Sequence, residues 1–140
     1  FDGKLPTPGS LSAEDEAIRK SVLEATKGMG EWVNLAEIPA RMQSIITVAD
    51  EMNNYFAEQA PWDLIKNEET RERCQTVIYV TLDCLRVVME ALTQVIPASA
   101  GKALAMLNAP AVACPWKPEL DRLEGNSDLG EIETLYPRVQ

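Results

Sequence analysis

Residues 53–66 of this chain read Asn53-Asn54-Tyr55-Phe56-Ala57-Glu58-Gln59-Ala60-Pro61-Trp62-Asp63-Leu64-Ile65-Lys66. The stretch begins as the end of an amphipathic helix and breaks at Pro61, because proline lacks the N–H that a helix interior needs and biases Ala60 away from helical geometry. Trp62 is therefore predicted to lie at a bend between two helices. A tryptophan there can fill the gap between the helices, or it can offer its indole face to a nucleobase. Spacing leaves both interpretations open, and the general burial of large aromatic side chains favours the first.

Helical spacing of apolar residues extends in both directions from this bend. Before it, apolar residues recur at steps of three and four, at Ile38, Met42, Ile45, Ala49, Met52 and Phe56. After it, a wider apolar face runs through Cys74, Val77, Ile78, Thr81, Leu85, Val88, Met89, Leu92 and Val95. Both patterns predict long helices that face a core.

Capping residues predict where the first three helices begin. Ser12, followed directly by acidic residues, predicts the start of a first helix. The second helix begins either at a capping box led by Asn34 or two residues later, as Pro39 indicates. Asn67 is placed to cap the third helix, which Pro97 is predicted to end.

A shorter fourth helix is predicted over residues 99–107. Beyond it, repeated prolines predict an irregular tail that packs on the bundle through Leu120, Leu123, Leu129, Ile132 and Leu135. The predicted fold is therefore all-α: a bundle of about four main helices with an irregular C-terminal tail, in a single domain over residues 1–140.

The composition excludes several kinds of chemistry. The 140 residues contain no histidine, and the three cysteines form no Cys-x-x-Cys motif, so no catalytic triad, metal site or disulfide framework is predicted. The net charge of −9 argues against indiscriminate binding of DNA or other polyanions. Acidic pairs at helix starts are interpreted as complements of the helix dipole. Arg71, Arg73 and Arg86 are predicted to be solvated, whereas Lys66 is placed to meet a phosphate.

The compartment and the extent of the chain can also be predicted. No apolar run approaches the roughly 20 residues that a membrane span needs, so no membrane partner is expected. Free cysteines fit a reducing, cytoplasmic compartment. The chain begins at Phe1 rather than at methionine, so it is expected to be a fragment or a processed product.

Several motifs that occur in order along the chain together resemble one family. Around the bend they are Asn53-x-Tyr55, Gln59-Ala60-Pro61-Trp62-x-Leu64-x-Lys66 and Leu85-Arg86-Val87 leading to Ile96-Pro97. The two ends add Phe1-Asp2-Gly3-Lys4-Leu5-Pro6, Leu120-x-x-Leu123-x-Gly125 and Leu135-Tyr136-Pro137-Arg138-Val139. This collinear set covers almost the whole chain. It is similar to the C-terminal anticodon-binding helical domain of methionyl-tRNA synthetase, a class I aminoacyl-tRNA synthetase.

The resemblance implies a role in a larger ligase that joins methionine to its tRNA. ATP and magnesium would act in an N-terminal catalytic domain that this sequence lacks, so the chain alone is expected to be non-catalytic and to hold no cofactor. Its partners would be tRNA(Met) and that catalytic domain. Its own task would be recognition of the CAU anticodon.

The resemblance also implies roles for individual residues. Trp62 would stack on an anticodon base, Pro61 would shape the platform, and Lys66 would lie close by. Asp50 matches an acidic position thought to repel wrong anticodons. Two residues are expected to be structural, tying their helix to its neighbours: Asn53 and Tyr55.

Some features depart from the family pattern and leave alternatives open. Asn54 and Ala57 stand where the family often has an arginine and an acid. The family's edge-reading asparagine and arginine lie on a helix that would precede Phe1, so anticodon reading by this chain is expected to be incomplete. One alternative is a helical protein-interaction module. Another is the equivalent domain of a different class I synthetase, although the Pro-Trp segment and the tail favour methionine.

Overall fold

The described part of the chain is a helical bundle. The computed structural model describes residues 4–27, 35–93, 95–109, 118–123, 125 and 128–130. Its helices are α1 (Ala13–Thr26), α2 (Ile38–Gln59), α3 (Pro61–Leu64), α4 (Glu68–Leu92) and α5 (Pro97–Met106), with a 3-10 turn at Leu35–Glu37 before α2. The described residues contain no strand, only an isolated bridge between Lys4 and Asp128. The predicted all-α class is therefore confirmed.

The beginnings of α1, α2 and α4 follow local chemistry. Ser12 caps α1 in a reciprocal capping box with Asp15, as the hydroxyl-then-acid pattern predicts. Helix α2 begins at Ile38 with Pro39 in its first turn, nearer to the later of the two predicted starts. The alternative cap at residue 34 lies outside the described residues. Asn67 does precede α4, but its side chain makes no capping hydrogen bond.

The prediction that Pro97 ends α4 was wrong. Helix α4 stops at Leu92, five residues earlier, and Pro97 opens α5. Proline suits the first turn of a helix, where its missing N–H would have no partner in any case. Val95, predicted to continue the apolar face of α4, lies in the connecting turn and is 41% exposed.

The core forms around α4, which packs against α1, α2, α3 and α5. Its buried members are mainly aliphatic: Ile18, Val22, Ile45, Val48, Met52, Val77, Val80, Val87, Val88, Ala91 and Leu92. Of the predicted α2 stripe, Ile45 and Met52 are buried, and Met42 and Phe56 are partly buried and pack against this core. Val48 and Tyr55, which lie outside that stripe, are also buried. Helix α1 packs against α2.

A second, smaller core lies under the described part of the tail. Leu123 is buried with Leu5, Tyr79 and Leu107, and Leu129 packs beside them. The Tyr79 hydroxyl donates a hydrogen bond to the Leu123 carbonyl at 3.0 Å. Ile132 and Leu135, which were also predicted to pack on the bundle, lie outside the described residues.

Arg86 is fully buried, so its predicted exposure was wrong. Its Nε donates to Asp83 at 3.1 Å, and its Nη1 lies 3.0 Å from a carboxylate oxygen of Glu90. Both acids are about 1% exposed. The guanidinium also donates to the Glu119 carbonyl, while Asp83 accepts from the Asp121 N–H at 2.8 Å. These buried charges thus fix residues 119–121 onto α4.

Candidate nucleic-acid interface

The bend between α2 and α3 is built around Ala60. Its backbone adopts φ 45° and ψ 60°, the left-handed conformation rather than an extended one. The Ala60 N–H donates to the Phe56 carbonyl at 3.1 Å, and the Ala60 carbonyl accepts from the Asp63 N–H at 2.9 Å. The same residue therefore ends α2 and begins α3. Pro61 takes the first position of α3, which is compatible with its fixed φ.

Trp62 lies on the outside of this bend and is 51% exposed. Its ring meets Phe56 edge to face, with centroids 5.9 Å apart and an interplanar angle of 62°. This contact orients the indole without covering it. Ile65, one helical turn later, is also exposed, at 40%. The bend thus presents apolar surface to solvent, and the gap-filling interpretation of Trp62 is not what the structure describes.

Hydrogen bonds from side chains of helix α4 anchor the short helix α3. Pro61 is buried, and its carbonyl accepts from the Cys74 thiol at 3.4 Å. The Leu64 carbonyl accepts from the Thr70 hydroxyl at 2.6 Å. Each end of α3 is therefore tied to the first two turns of α4, and Trp62 lies between the two ties.

Lys66 is exposed but already paired. Its Nζ lies 2.7 Å from a carboxylate oxygen of Asp63, and both side chains are more than half exposed. Asp63 was not singled out from the sequence, although its spacing of three residues from Lys66 on a helical turn makes such a pair common. A phosphate that approached Lys66 would compete with Asp63.

The other residues singled out from the sequence lie along α2. Asp50 and Asn53 are exposed, and Tyr55 is buried. Asp50 precedes Ala60 by ten residues, which is roughly 15 Å along a helix axis. The structure therefore groups Pro61, Trp62 and Lys66 at the bend and places Asp50 nearly three turns away.

A partly buried polar network lies behind the bend, and apart from the expected structural role of Tyr55 it was not predicted from the sequence. Arg73 donates to both carboxylate oxygens of Asp15, at 2.5 and 2.8 Å, and to Gln59 at 2.7 Å and the Ser12 hydroxyl at 3.2 Å. The Tyr55 hydroxyl donates to Asp15. The predicted solvation of Arg73 was therefore wrong. No local pattern signals this cluster, because its members come from three helices.

The network controls the protonation of its own members. Burial alone would raise the pKa of Asp15, but hydrogen bonds from Arg73, Tyr55 and the Ser12 backbone outweigh it, and the pKa is lowered. Burial, followed by the hydrogen bond to Asp15, raises the pKa of Tyr55. Asp15 is therefore ionised and Tyr55 neutral near pH 7, as their hydrogen bond requires.

Asp15→Asn is expected to weaken folding at pH 7 by about 1–3 kcal/mol, because Arg73 and Tyr55 lose a charged acceptor. The folded-state pKa lies below the unfolded value of about 3.9, so this stabilisation is present above that pH and is lost as the pH falls through the folded-state pKa. Urea unfolding at pH 7 and pH 3 measures it. Glu16→Gln, on the same helix but exposed, is the control. If the difference in free energy of unfolding between Asp15→Asn and wild type were the same at pH 7 and pH 3, ionised Asp15 would not be the source of the stabilisation.

Two features are absent from the described residues. No helix there combines the length and apolar character that crossing a bilayer requires. No group of three or more acidic or cysteine side chains is arranged to hold a metal ion within those same ranges.

Comparison with known proteins identifies methionine–tRNA ligases among the relatives of this chain. No family model matches the chain. The methionine–tRNA ligase of Corynebacterium urealyticum is 33% identical over 137 residues, which are 96% of this chain and 22% of the relative. The methionine–tRNA ligase of Brucella melitensis is 35% identical over 138 residues, which are 98% of this chain and 26% of the relative.

A solved structure agrees with the sequence relatives. The ligand-free crystal structure of Mycobacterium tuberculosis methionyl-tRNA synthetase superimposes with a TM-score of 0.79 and 27% identity, covering 99% of this chain and 28% of that protein. The chain thus spans between 22% and 28% of the length of these three proteins. On both sequence and fold, this chain belongs to the methionyl-tRNA synthetase family.

Proposed function

We propose that this chain is the anticodon-binding domain of a cytoplasmic methionine–tRNA ligase, where it recognises the CAU anticodon of tRNA(Met). A catalytic domain elsewhere in that ligase would attach methionine with ATP and magnesium, and this chain would need no cofactor of its own. The main support for the proposal is that Trp62 is half exposed at a bend whose short helix α3 is hydrogen-bonded to α4.

The exposed indole supplies the binding energy for a loop nucleotide. Bases of single-stranded RNA loops can be unstacked and laid on aromatic side chains, and each such contact is worth about 1–3 kcal/mol. Ile65 extends the apolar surface one turn further. Because stacking accepts any base, discrimination has to come from polar groups that read base edges.

Electrostatics would limit binding to this one place. With a net charge of −9, the chain has no general attraction for phosphates. Lys66 is the cation next to Trp62, and Asp63 holds it at 2.7 Å. Asp50, exposed nearly three turns back on α2, would repel loops that approach in a different register. Contact with tRNA is therefore local and selective.

Quenching of Trp62 fluorescence tests the proposal directly. In a full-length ligase that carries this sequence, titration with a CAU anticodon stem-loop is expected to quench emission, because stacking places a base against the indole. The contribution of Trp62 to the emission is obtained by subtracting the titration of Trp62→Phe from that of wild type. This subtraction cancels the emission of Trp32 and Trp116, which both proteins contain. A stem-loop with a changed anticodon is the control. Equal quenching by both RNAs, or no contribution of Trp62 at all, would contradict CAU recognition.

Asp63→Asn is expected to strengthen tRNA binding by releasing Lys66. One more phosphate contact would steepen the dependence of log K on log salt by about 0.7. Binding constants measured between 50 and 200 mM salt give this slope. Glu58→Gln, exposed in the last turn of α2, removes the same charge without freeing Lys66. Identical slopes for the two variants would show that Lys66 meets no phosphate.

A further inference from the structure

We propose that Arg73 is a positioning residue for anticodon stacking: through Gln59 it fixes the end of α2, and so the place at which the chain turns to present Trp62. The inference rests on the proposed function. It adds a residue that touches no nucleotide and lies on a different helix from the bend.

Arg73 reaches the bend from α4 and is itself held firmly. Its two Nη atoms contact both oxygens of Asp15, at 2.5 and 2.8 Å. Asp15 is 0% exposed, and it is fixed in the first turn of α1 by the capping box with Ser12. A planar guanidinium held by two bonds to a buried carboxylate has little freedom to swing. Arg73 is therefore a fixed point from which another group can be placed.

Gln59 is the group that Arg73 places. The Arg73 Nη2 donates to the Gln59 side-chain oxygen at 2.7 Å. Gln59 is the last residue of α2, and the next residue, Ala60, has φ 45°. A left-handed conformation is unfavourable for alanine and persists only where the surrounding structure determines it. The hydrogen bond to Gln59 constrains the chain immediately before this turn.

The ties after the turn complete the restraint. The Cys74 thiol and the Thr70 hydroxyl donate to the carbonyls of Pro61 and Leu64, on either side of Trp62. Gln59 lies only three residues before Trp62. Loss of its tie would let the end of α2 shift while α3 stayed on α4, and the indole would leave its contact with Phe56. A displacement of about 1 Å is enough to weaken a positioned contact severely.

Gln59→Met in the full-length ligase tests the proposal. Methionine keeps the volume and loses the acceptor, while the contacts between Arg73 and Asp15 remain. We expect the KM for tRNA(Met) to rise about fivefold or more with kcat nearly unchanged. Gln59→Glu retains an acceptor oxygen and is expected to restore the wild-type KM. Gln43→Met, exposed near the start of α2, is the matched control.

Two readouts separate a positioning role from a general loss of stability. Acrylamide quenching of the Trp62 emission, taken as the difference from the matching Trp62→Phe variant, should change in Gln59→Met and not in Gln43→Met. In a Trp62→Ala background, Gln59→Met should raise the KM less than twofold further, because residues that act through one contact are not additive.

Each negative result has one meaning. Unchanged Trp62 quenching in Gln59→Met, or an equal rise in KM with and without Trp62, would overturn the positioning role while leaving the proposed function standing. Wild-type charging by Trp62→Ala itself would overturn the proposed function, and the positioning role with it.

Discussion

Arg86→Met is expected to destabilise the helical bundle by about 3–5 kcal/mol, because it leaves buried charges without their partner. Arg86 is 0% exposed, and Asp83 and Glu90 are each 1% exposed. Removal of the guanidinium would leave two carboxylates in a medium that solvates them poorly, and would strip the Glu119 carbonyl of its donor. Since domains of this size are stable by only about 5–15 kcal/mol, the loss would be a large share of the total.

Urea unfolding followed by circular dichroism measures this loss. Arg71→Met replaces a partly exposed arginine on the same helix; it is the matched control and should cost much less stability. The double variant Arg86→Met, Glu90→Gln removes one of the two abandoned charges and should recover part of the stability. If the Arg86→Met variant were as stable as the Arg71→Met variant, the buried charges of Asp83, Arg86 and Glu90 would contribute nothing to folding.

If the proposed function holds, Trp62→Ala in the full-length ligase is expected to lower kcat/KM for tRNA(Met) charging by about 5- to 150-fold, which corresponds to the roughly 1–3 kcal/mol of one base stack. The loss should appear in the tRNA-dependent step. Methionine activation by ATP, measured as pyrophosphate exchange, should not change, because the proposed role of Trp62 involves only the tRNA.

Ile46→Ala is the control for loss of exposed apolar surface. Ile46 lies on α2 and is 51% exposed, the same fraction as Trp62, but it is far from the bend. Its substitution should leave charging near wild type. Equal charging by Trp62→Ala and Ile46→Ala would contradict the stacking role. If the domain instead retained a protein partner and showed no salt-sensitive tRNA binding, the interaction-module alternative would be favoured.

The sequence was most informative where structure depends on neighbours along the chain. The Ser12 cap and the break at Pro61 were both predicted, because capping and the missing proline N–H act within one helical turn. Pro97 shows the limit of the same argument. Its effect is also local, but a proline can either end one helix or begin the next, and only the end of α4 at Leu92 decides which.

The candidate site was predictable only in part. The family motif drew attention to Pro61, Trp62 and Lys66, and they do lie together at the bend. It could not reveal that Asp63 pairs with Lys66, or that about half of Trp62 stays open to solvent. The exposure of an aromatic side chain depends on what packs over it, and periodicity does not contain that information.

By itself the sequence determined a helical chain broken at Pro61, because helix formation and termination are decided by groups a few residues apart. Only the tertiary structure decided which charges are buried. Arg73 and Asp15 are 58 residues apart, and Arg86 and Glu119 are 33 apart, yet each pair is hydrogen-bonded. Such pairs exist only once packing removes water from around them, since an arginine in an unfolded chain keeps its hydration at every position.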